Sequence, residues 1–301
     1  MNAPALSFTA LRPRLFAMAY RMTGMRADAE DILQDAWLRW HEADRTRIEI
    51  PEAWLTTVVT RLAIDRLREA KRRRADYIGQ WLPEPLVEAA PEPLQQLEHV
   101  GELSLAFLTL LEKLSPWERA AFLLRESFEL DYAEIAAMLG KSQAAIRQLV
   151  HRAKARLQDD SPRFEATPEA HLDLLQRFAR ASSRGDQAAL MALLDENAIY
   201  SSDGGGKVMA TLRPLYGAKR LVLFYACLVR LYAEKPVYYA IATVNGEPGL
   251  LRYNYGQLDC VMSVSHDGER IHAIHVVRNP DKLARIDPAL SQLGPLVRLV
   301  E

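Results

Sequence analysis

The chain carries one helix-length segment whose side chains suit contact with a polyanion. Between Ser142 and Leu157 there are three arginines, one lysine and no acidic residue, a formal charge of +4 with His151 neutral. Charge of one sign along a helix favours contact with DNA phosphates and with base edges in the major groove. The alternative is a basic, solvated helix in a helical bundle. The candidate DNA-contacting residues are Ser142, Gln143, Arg147, Gln148, His151, Arg152 and Lys154.

A second basic cluster lies from Arg61 to Arg74, where seven arginines and lysines stand against Asp65 and Glu69, a net charge of +5. Upstream, residues 28–40 read DAEDILQDAWLRW, the pattern of an acidic amphipathic helix. We expect a core-facing stripe of Ile32, Leu33, Ala36, Trp37 and Trp40, and an outer surface of Asp28, Asp31, Gln34 and Asp35. The two segments offer surfaces of opposite charge to partners.

Groups that could do acid–base chemistry lie in the last third of the chain. The candidates are Asp203, Tyr253, Tyr255, Asp259, His266, His272 and His275. Alternation along a strand would place His272 and His275 on opposite faces, so they would not line one pocket. Residues 203–207 read DGGGK, which lacks the spacing and the following Ser or Thr of a P-loop. Because Cys227 and Cys260 are isolated and no base has an orienting partner, we expect no metal, no cofactor and no catalysis.

The elements that position the DNA-contacting residues follow from helical periodicity. Residues 131–157 read DYAEIAAMLGKSQAAIRQLVHRAKARL, two apolar stripes separated by Gly140. Glycine permits the positive φ of a sharp reversal, and Ser142 can cap the second helix. This segment is therefore predicted to be a helix-turn-helix. Residues 53–74 are predicted to form one long helix that begins after the Pro51-Glu52 pair.

Two proline-containing segments divide the chain. Residues 81–93 read WLPEPLVEAAPEP, with four prolines, and residues 159–168 read DDSPRFEATP. They predict a multi-domain protein in which two all-α domains, the second with the helix-turn-helix, precede an α+β domain. The predicted domains are 1–77, 94–158 and 169–301, with linkers at 78–93 and 159–168.

The last domain changes from helical to strand patterns. Two helices are expected over residues 171–184 and 187–194, and Asn245-Gly246 and Asp267-Gly268 are strong hairpin signals. An antiparallel meander is therefore expected after the helices.

Overall charge and hydropathy indicate how the protein can bind nucleic acid and where it resides in the cell. The 301 residues hold 38 Lys and Arg against 39 Asp and Glu, so any binding to nucleic acid depends on local charge. Arginines interrupt the N-terminus at Arg12, Arg14 and Arg21, and the most apolar stretch, residues 221–229, is too short to cross a bilayer. We expect a cytoplasmic protein without a membrane anchor.

The order of these elements resembles the extracytoplasmic-function (ECF) class of bacterial RNA polymerase sigma factors. The strings AEDILQDAWLRW and RLAIDRLR carry the resemblance, together with the downstream helix-turn-helix. WLPEPL at residues 81–86, DGGGK at 203–207 and NPDKL at 279–283 resemble motifs of the subgroup with a fused SnoaL/NTF2-like domain. The resemblance implies sigma region 2-like and region 4-like helical domains, and a cone of helices against a curved sheet at the C-terminus.

The resemblance also implies a role for each surface. Asp31, Gln34 and Asp35 would dock on the clamp helices of the polymerase largest subunit, and Arg61, Arg66, Arg68 and Arg72 would engage the minus-ten promoter element. The seven candidate DNA-contacting residues between Ser142 and Lys154 would read the minus-thirty-five element. The residues expected to regulate initiation in cis, by contact between the linker and the C-terminal domain, are Trp81, Pro83, Pro85, Asp203, Gly204, Gly205, Gly206, Lys207, Asn279, Pro280 and Asp281.

The predicted partners are RNA polymerase core and promoter DNA, with an unidentified small ligand of the C-terminal domain left open. Two other functions are considered: a one-component repressor whose C-terminal domain binds a ligand, and an enzyme with a vestigial DNA-binding half. A repressor needs no polymerase-docking surface, so the acidic helix favours a promoter-specificity subunit over a repressor. The lack of a general base with an orienting partner argues against the enzyme.

Overall fold

The computed structural model describes residues 3–88, 103–158, 167–231 and 237–286, which fall into two compact units. The N-terminal unit comprises Met1–Ala75, Gln96–Leu103 and Phe107–Ser161. The C-terminal unit comprises Asp76–Gln95, Ser104–Ala106 and Pro162–Glu301. The two predicted helical domains thus share one unit, and the described part of the first predicted linker, 78–88, belongs to the other. Residues 89–93 and 159–166 of the predicted linkers lie outside the described residues.

The N-terminal unit is helical. Its first three helices are α1 (Ala3–Thr23), α2 (Arg26–Glu42) and α3 (Pro51–Arg73). They are followed by α4 (Leu105–Leu111), whose first two residues are counted in the C-terminal unit, and by α5 (Pro116–Glu126), α6 (Tyr132–Leu139) and α7 (Gln143–Gln158). Met18, Leu33, Leu55 and Leu67 are almost fully buried where α1, α2 and α3 pack together. Burial of such side chains contributes about 1.5–3 kcal/mol each relative to exposure, which makes this packing the main support of the helices.

Local signals set the helix-turn-helix. The α6 helix begins with a capping box in which Asp131 accepts the backbone N–H of Glu134 and the Glu134 side chain accepts the N–H of Asp131. It ends at Gly140, whose φ of 62° lies in the left-handed region that glycine tolerates. Ser142 Oγ then accepts the N–H of Ala145 at 3.2 Å in the first turn of α7. The predicted reversal and cap are confirmed.

The C-terminal unit is a mixed sheet with helices. Its strands are β1 (Val87–Glu88), β2 (Leu194–Asp203), β3 (Leu215–Tyr216), β4 (Val237–Val244), β5 (Glu247–Asn254), β6 (Gln257–His266) and β7 (Ile271–Val277). Their order in the sheet is β1-β4-β5-β6-β7-β2-β3. The helices are α8 (Pro168–Arg184), α9 (Gln187–Leu193), α10 (Ala218–Leu231) and α11 (Pro280–Leu283).

The predicted meander is confirmed for β4 to β7, which pair antiparallel in sequence order. Asn245 and Gly246 both have positive φ, 54° and 83°, as a tight hairpin turn requires. The sheet as a whole is mixed, because β2 pairs with β7 in parallel after a crossover through β3, α10 and the meander.

The two faces of the sheet bury separate clusters. Phe178, Leu221 and Met262 belong to a core cluster formed with α8, α9 and α10. Leu82, Val261 and Leu283 belong to a second cluster, and since Val261 alternates with Met262 along β6, this cluster lies on the opposite face. The segment before β1 therefore supplies part of the core on that face.

Candidate functional site

The recognition helix α7 presents one free edge and one paired edge. Ser142, Gln143, Arg147, Gln148 and His151 are exposed, and the guanidinium of Arg147 lies 5.3 Å from the centre of the Tyr132 ring. The free edge is thus the N-terminal half of the helix, the half that reads bases in helix-turn-helix proteins.

The paired edge of α7 faces acidic residues of α5. Glu118 lies 2.7 Å from Arg156 and 3.6 Å from Arg152, and Glu126 lies 2.8 Å from Lys154. Burial alone would raise the pKa of Glu118, but hydrogen bonds from Ser115 and the charges of Arg156 and Arg152 lower the pKa. The formal charge of +4 on α7 is therefore partly compensated within the unit.

The acidic helix α2 exposes its predicted docking residues. Asp31, Gln34 and Asp35 are exposed, whereas Asp28 is only half-exposed. The placement of Trp37 in the core is wrong: the residue is 42% exposed, and its ring stacks on His41 with ring centres 5.3 Å apart. The buried stripe is Ala29, Ile32, Leu33, Ala36 and Trp40, and position 37 lies about 40° around the helix beyond Leu33, at the margin of that stripe.

Two of the four arginines predicted for the minus-ten element contact the second helical region of the same unit. Arg61 Nε donates to the carbonyl oxygen of Met138 at 3.1 Å, and the Arg68 guanidinium lies 5.0 Å from the centre of the Trp117 ring. Lys141 Nζ lies 4.2 Å from that same ring centre. In this arrangement the cations of α3 pack against α5 and α6.

The other two predicted arginines differ in their environment. Arg66 donates to Asp28 at 3.3 Å and to Asp31 at 3.4 Å, and so links the basic helix to the acidic one. Arg72 is exposed on the last turn of α3. Arg72 is therefore the predicted minus-ten cation most open to a new partner.

Three cations converge on Glu112, which follows α4. Arg74 and Arg119 each donate to a different carboxylate oxygen of Glu112. Lys71 Nζ donates to the carbonyl oxygens of Glu112 at 3.3 Å and of Leu114 at 2.5 Å. Burial alone would raise the pKa of Glu112, but the charges of Arg119 and Arg74 outweigh burial and lower the pKa. An ionised Glu112 therefore joins α3 to α5.

A buried group of side chains, which we call the clasp, holds the segment before β1 on the C-terminal unit. The clasp consists of Tyr77, Leu82, Asp203, Asn279 and Lys282. Asp203 Oδ2 accepts the N–H of Leu82 at 2.9 Å and lies 2.6 Å from Lys282 Nζ, while its Oδ1 accepts the Tyr77 hydroxyl at 2.6 Å. Lys282 also donates to the carbonyl oxygen of Leu82, and Asn279 Nδ2 donates to the Tyr77 oxygen at 2.9 Å.

The clasp is dry. Asp203 is 0% and Lys282 3% exposed, and Lys282 Nζ lies 4.1 Å from the centre of the Trp81 ring. Pro83 and Pro85 are buried beside Leu82. Because an unpaired charge is costly in such a place, the ion pair and its hydrogen bonds depend on one another. The structure thus brings DGGGK, NPDKL and WLPEPL together within one unit.

The glycines after Asp203 are required by close packing. A Cβ on Gly204 would lie 2.4 Å from the carbonyl oxygen of Val208, and one on Gly205 would lie 2.4 Å from Asn279 Nδ2. Gly205 and Gly206 also have positive φ, 62° and 70°. Lys207, at the end of the motif, forms an exposed ion pair with Asp281 at 2.6 Å.

The candidate acid–base groups do not gather at one site, although Tyr253 and Asp259 line the same pocket. His275 is buried, and burial lowers its pKa to about 4. His272 Nε2 lies 3.0 Å from Asp267 Oδ2. Tyr255 is exposed and Asp259 pairs with two arginines. Among the described residues, no group of three or more His, Cys, Asp or Glu could hold a metal ion. None of the described helices is long and apolar enough to span a membrane.

Comparison with known proteins decides the family. Residues 8–73 match the model of sigma-70 region 2, and residues 104–157 match the model of sigma-70 region 4. The ECF RNA polymerase sigma factor SigJ of Mycobacterium tuberculosis is 38% identical over 289 residues, 91% of this chain and 91% of SigJ. The chain belongs to the ECF RNA polymerase sigma factor family.

The similarity of this ECF sigma factor extends to its C-terminal unit. The probable ECF sigma factor SigI of M. tuberculosis is 29% identical over 290 residues, 96% of each chain. The crystal structure of M. tuberculosis SigJ has a TM-score of 0.75 and 34% identity, and the match covers 97% of this chain and 99% of that one. The fold is therefore that of two sigma regions followed by a SnoaL/NTF2-like cone, and the protein directs promoter-specific transcription initiation by RNA polymerase.

Proposed function

We propose that this sigma factor docks on the clamp helices of core polymerase through Asp31, Gln34 and Asp35, and that its C-terminal unit controls initiation in cis. Arg61, Arg66, Arg68 and Arg72 would contact the minus-ten element, and the exposed edge of α7 the minus-thirty-five element. With core polymerase and promoter DNA as its partners, it would act in the cytoplasm. The observation that carries cis control is the clasp, because it fixes the segment between the two sigma regions on the C-terminal unit.

The docking proposal is supported by the exposure and the charge of α2. The double variant Asp31→Lys with Asp35→Lys reverses two exposed charges and should weaken binding to core polymerase in a pull-down, since complementary charge controls association. Glu169→Lys with Asp173→Lys is the matched control, because it reverses two exposed acids at the same spacing on α8. If the two double variants bound core polymerase equally well, α2 would not be the docking surface.

For the minus-thirty-five element, Arg147 and Lys154 separate base readout from backbone contact. Arg147 is exposed in the N-terminal half of α7, so Arg147→Ala should cost about 1–3 kcal/mol on the preferred sequence if it pairs with a guanine. Lys154 lies in the C-terminal half of α7, away from the half that reads bases, so Lys154→Ala should weaken all sequences alike and reduce the salt slope by about 1. Promoter titrations with holoenzyme measure both. Equal losses on specific and random DNA for Arg147→Ala would refute base readout.

Cis control is tested by loosening the clasp without removing its ion pair. Tyr77→Phe deletes one hydroxyl that donates to Asp203 and accepts from Asn279, and should change the yield of transcripts made in vitro with core polymerase. Trp81→Ala, which removes the ring beside Lys282, should shift the yield in the same direction. Tyr216→Phe is the control, because the Tyr216 ring is exposed on β3. Equal yields from all four proteins would refute control through the clasp.

A further inference from the structure

Tyr132, the first residue of α6, lies beside two guanidinium groups. The Cζ atom of Arg147 is 5.3 Å from the centre of the Tyr132 ring, and that of Arg125 is 4.9 Å from it. Guanidiniums within about 6 Å of a ring face are attracted to its negative charge density. One half-exposed ring therefore holds a cation of α5 and a cation of α7.

Local structure fixes the position of this ring. Asp131, the N-cap of α6, accepts two backbone N–H groups of the first turn, at 2.7 and 2.8 Å. Arg125 Nη1 donates to the carbonyl oxygen of Leu130 at 2.8 Å. Arg125 therefore binds both the loop before α6 and the ring that follows that loop. Two supports other than Arg147 thus hold Tyr132 in place.

Contact with the Tyr132 ring leaves the donors of Arg147 open. Among the described residues, the Arg147 side chain forms no ion pair and donates no hydrogen bond. The three other Lys and Arg residues of α7 each face a carboxylate of α5; they are Arg152, Lys154 and Arg156. Arg147 is therefore restrained by a ring at a point where its neighbours on the helix are restrained by charge.

This kind of restraint suits the reading of a base. Bidentate pairing with a base edge uses two N–H groups of one guanidinium in a fixed orientation. A free arginine side chain samples many rotamers, and it loses that freedom when it binds. A ring that restricts the guanidinium beforehand lowers this loss, and it does so without occupying an N–H donor that the base needs.

We propose that Tyr132 is a positioning residue for promoter recognition, which restrains Arg147 in the orientation that reads the minus-thirty-five element. Arg125 holds the ring in place. The inference rests on the proposed readout of a base by Arg147. Tyr132 acts through Arg147 and not through a contact of its own with the DNA. Its loss should therefore lower sequence preference at one position rather than affinity for DNA of every sequence.

The first test measures sequence preference. Holoenzyme selects promoters from a library that is randomised across the minus-thirty-five element, and Arg147→Ala identifies the position that Arg147 reads. At that position Tyr132→Leu should lower the preference about two- to fivefold, the range of a cation–π contact at an exposed site. Tyr132→Phe keeps the ring and should retain the wild-type preference. In the Arg147→Ala background, Tyr132→Leu should have no further effect there.

Trp117→Leu is the matched control. The Trp117 ring also lies beside two cations of the N-terminal unit, with Arg68 at 5.0 Å and Lys141 at 4.2 Å from its centre. This variant should keep the wild-type preference at the Arg147 position. Equal losses there in Trp117→Leu and Tyr132→Leu would show a general loosening of the unit and would overturn the proposal.

Two other outcomes of the selection would also overturn the proposal, and they differ in what they leave standing. An unchanged preference in Tyr132→Leu, at a position that responds to Arg147→Ala, would refute positioning and keep base readout by Arg147. If no position responded to Arg147→Ala, base readout and positioning would both be refuted.

The second test needs no DNA. Nitrogen relaxation of the Arg147 Nε–H group in the full-length protein gives its order parameter, which should be lower in Tyr132→Leu than in wild type and Tyr132→Phe. Arg72 is exposed and serves as the reference for an unrestrained side chain. Because this comparison can be made in the wild type alone, it does not depend on the folding of a variant. An Arg147 side chain as mobile as Arg72 in the wild type would overturn the proposal.

Discussion

The ion pair at the centre of the clasp allows a quantitative prediction. Asp203→Asn keeps the shape of the side chain and removes its charge, so that Lys282, which is 3% exposed, loses its ion pair with Asp203. Removing one partner of a buried ion pair typically costs about 3–5 kcal/mol. The clasp should therefore open about two to three and a half orders of magnitude more often in this variant.

The reverse substitution should cost less. In Lys282→Met the Asp203 carboxylate still accepts from the Leu82 N–H, the Gly205 N–H and the Tyr77 hydroxyl. Three donors therefore still support the buried carboxylate, whereas Asp203→Asn takes a negative charge away from a buried ammonium. The double variant, which buries no unpaired charge, should lie closer to the wild type than Asp203→Asn does.

Hydrogen exchange of the Leu82 amide measures this opening, because that N–H donates to Asp203 at 2.9 Å. Amides in the middle of β6 report opening of the whole unit and serve as the reference. The reasoning would be refuted by unchanged Leu82 exchange in Asp203→Asn, or by a double-mutant coupling energy below about 0.5 kcal/mol.

Three further predictions concern stability. Gly205→Ala should lower the melting temperature more than Gly256→Ala, because both glycines have positive φ but only at Gly205 would the new Cβ meet an atom, Asn279 Nδ2 at 2.4 Å. Glu112→Gln should lower the stability of the protein to urea at neutral pH. Because the pKa of Glu112 is lower in the folded state, its carboxylate stabilises the fold above the unfolded pKa of about 4.5, and this stabilisation is lost as pH falls through the folded pKa. Variant and wild type should therefore become equally stable at low pH. Burial raises the pKa of Glu247 to about 7, so wild-type stability should fall as pH rises from the unfolded value of about 4.5 through about 7, and Glu247→Gln should be the more heat-stable protein above that range. Identical thermal profiles of wild type and Glu247→Gln at alkaline pH would contradict this burial.

The helix-turn-helix was predictable because its signals are local. Gly140 and Ser142 each act within a few residues of their own position, through a left-handed φ and a cap. The prediction that Trp37 lies in the core was wrong because a ring at the margin of an apolar stripe can face either the core or the solvent. Sequence periodicity does not separate these two orientations.

The contacts that carry the site are distant in sequence, and that is why the pattern of residues did not reveal them. Tyr77 and Asp203 are 126 positions apart, Lys282 and Leu82 are 200 apart, and Arg61 and Met138 are 77 apart. The resemblance of WLPEPL, DGGGK and NPDKL to known motifs indicated that these segments meet, but not that Tyr77 and Lys282 make the bonds. The parallel pairing of β2 with β7 is equally non-local.

The clasp also determines which residues must be kept together when the C-terminal domain is exchanged between proteins. A recombinant exchange of C-terminal domains between relatives, cut at the second predicted linker, would transfer Asp203 and Lys282 without the backbone of Leu82 that both of them bind. Such a graft would also leave β1 behind and so uncover the edge of β4, a surface open to pairing with other chains. The module that must be exchanged as a whole is discontinuous in sequence: it consists of Tyr77 to Glu88 and the SnoaL/NTF2-like cone. In the sequence, the region that carries the helix-turn-helix lies between these two parts.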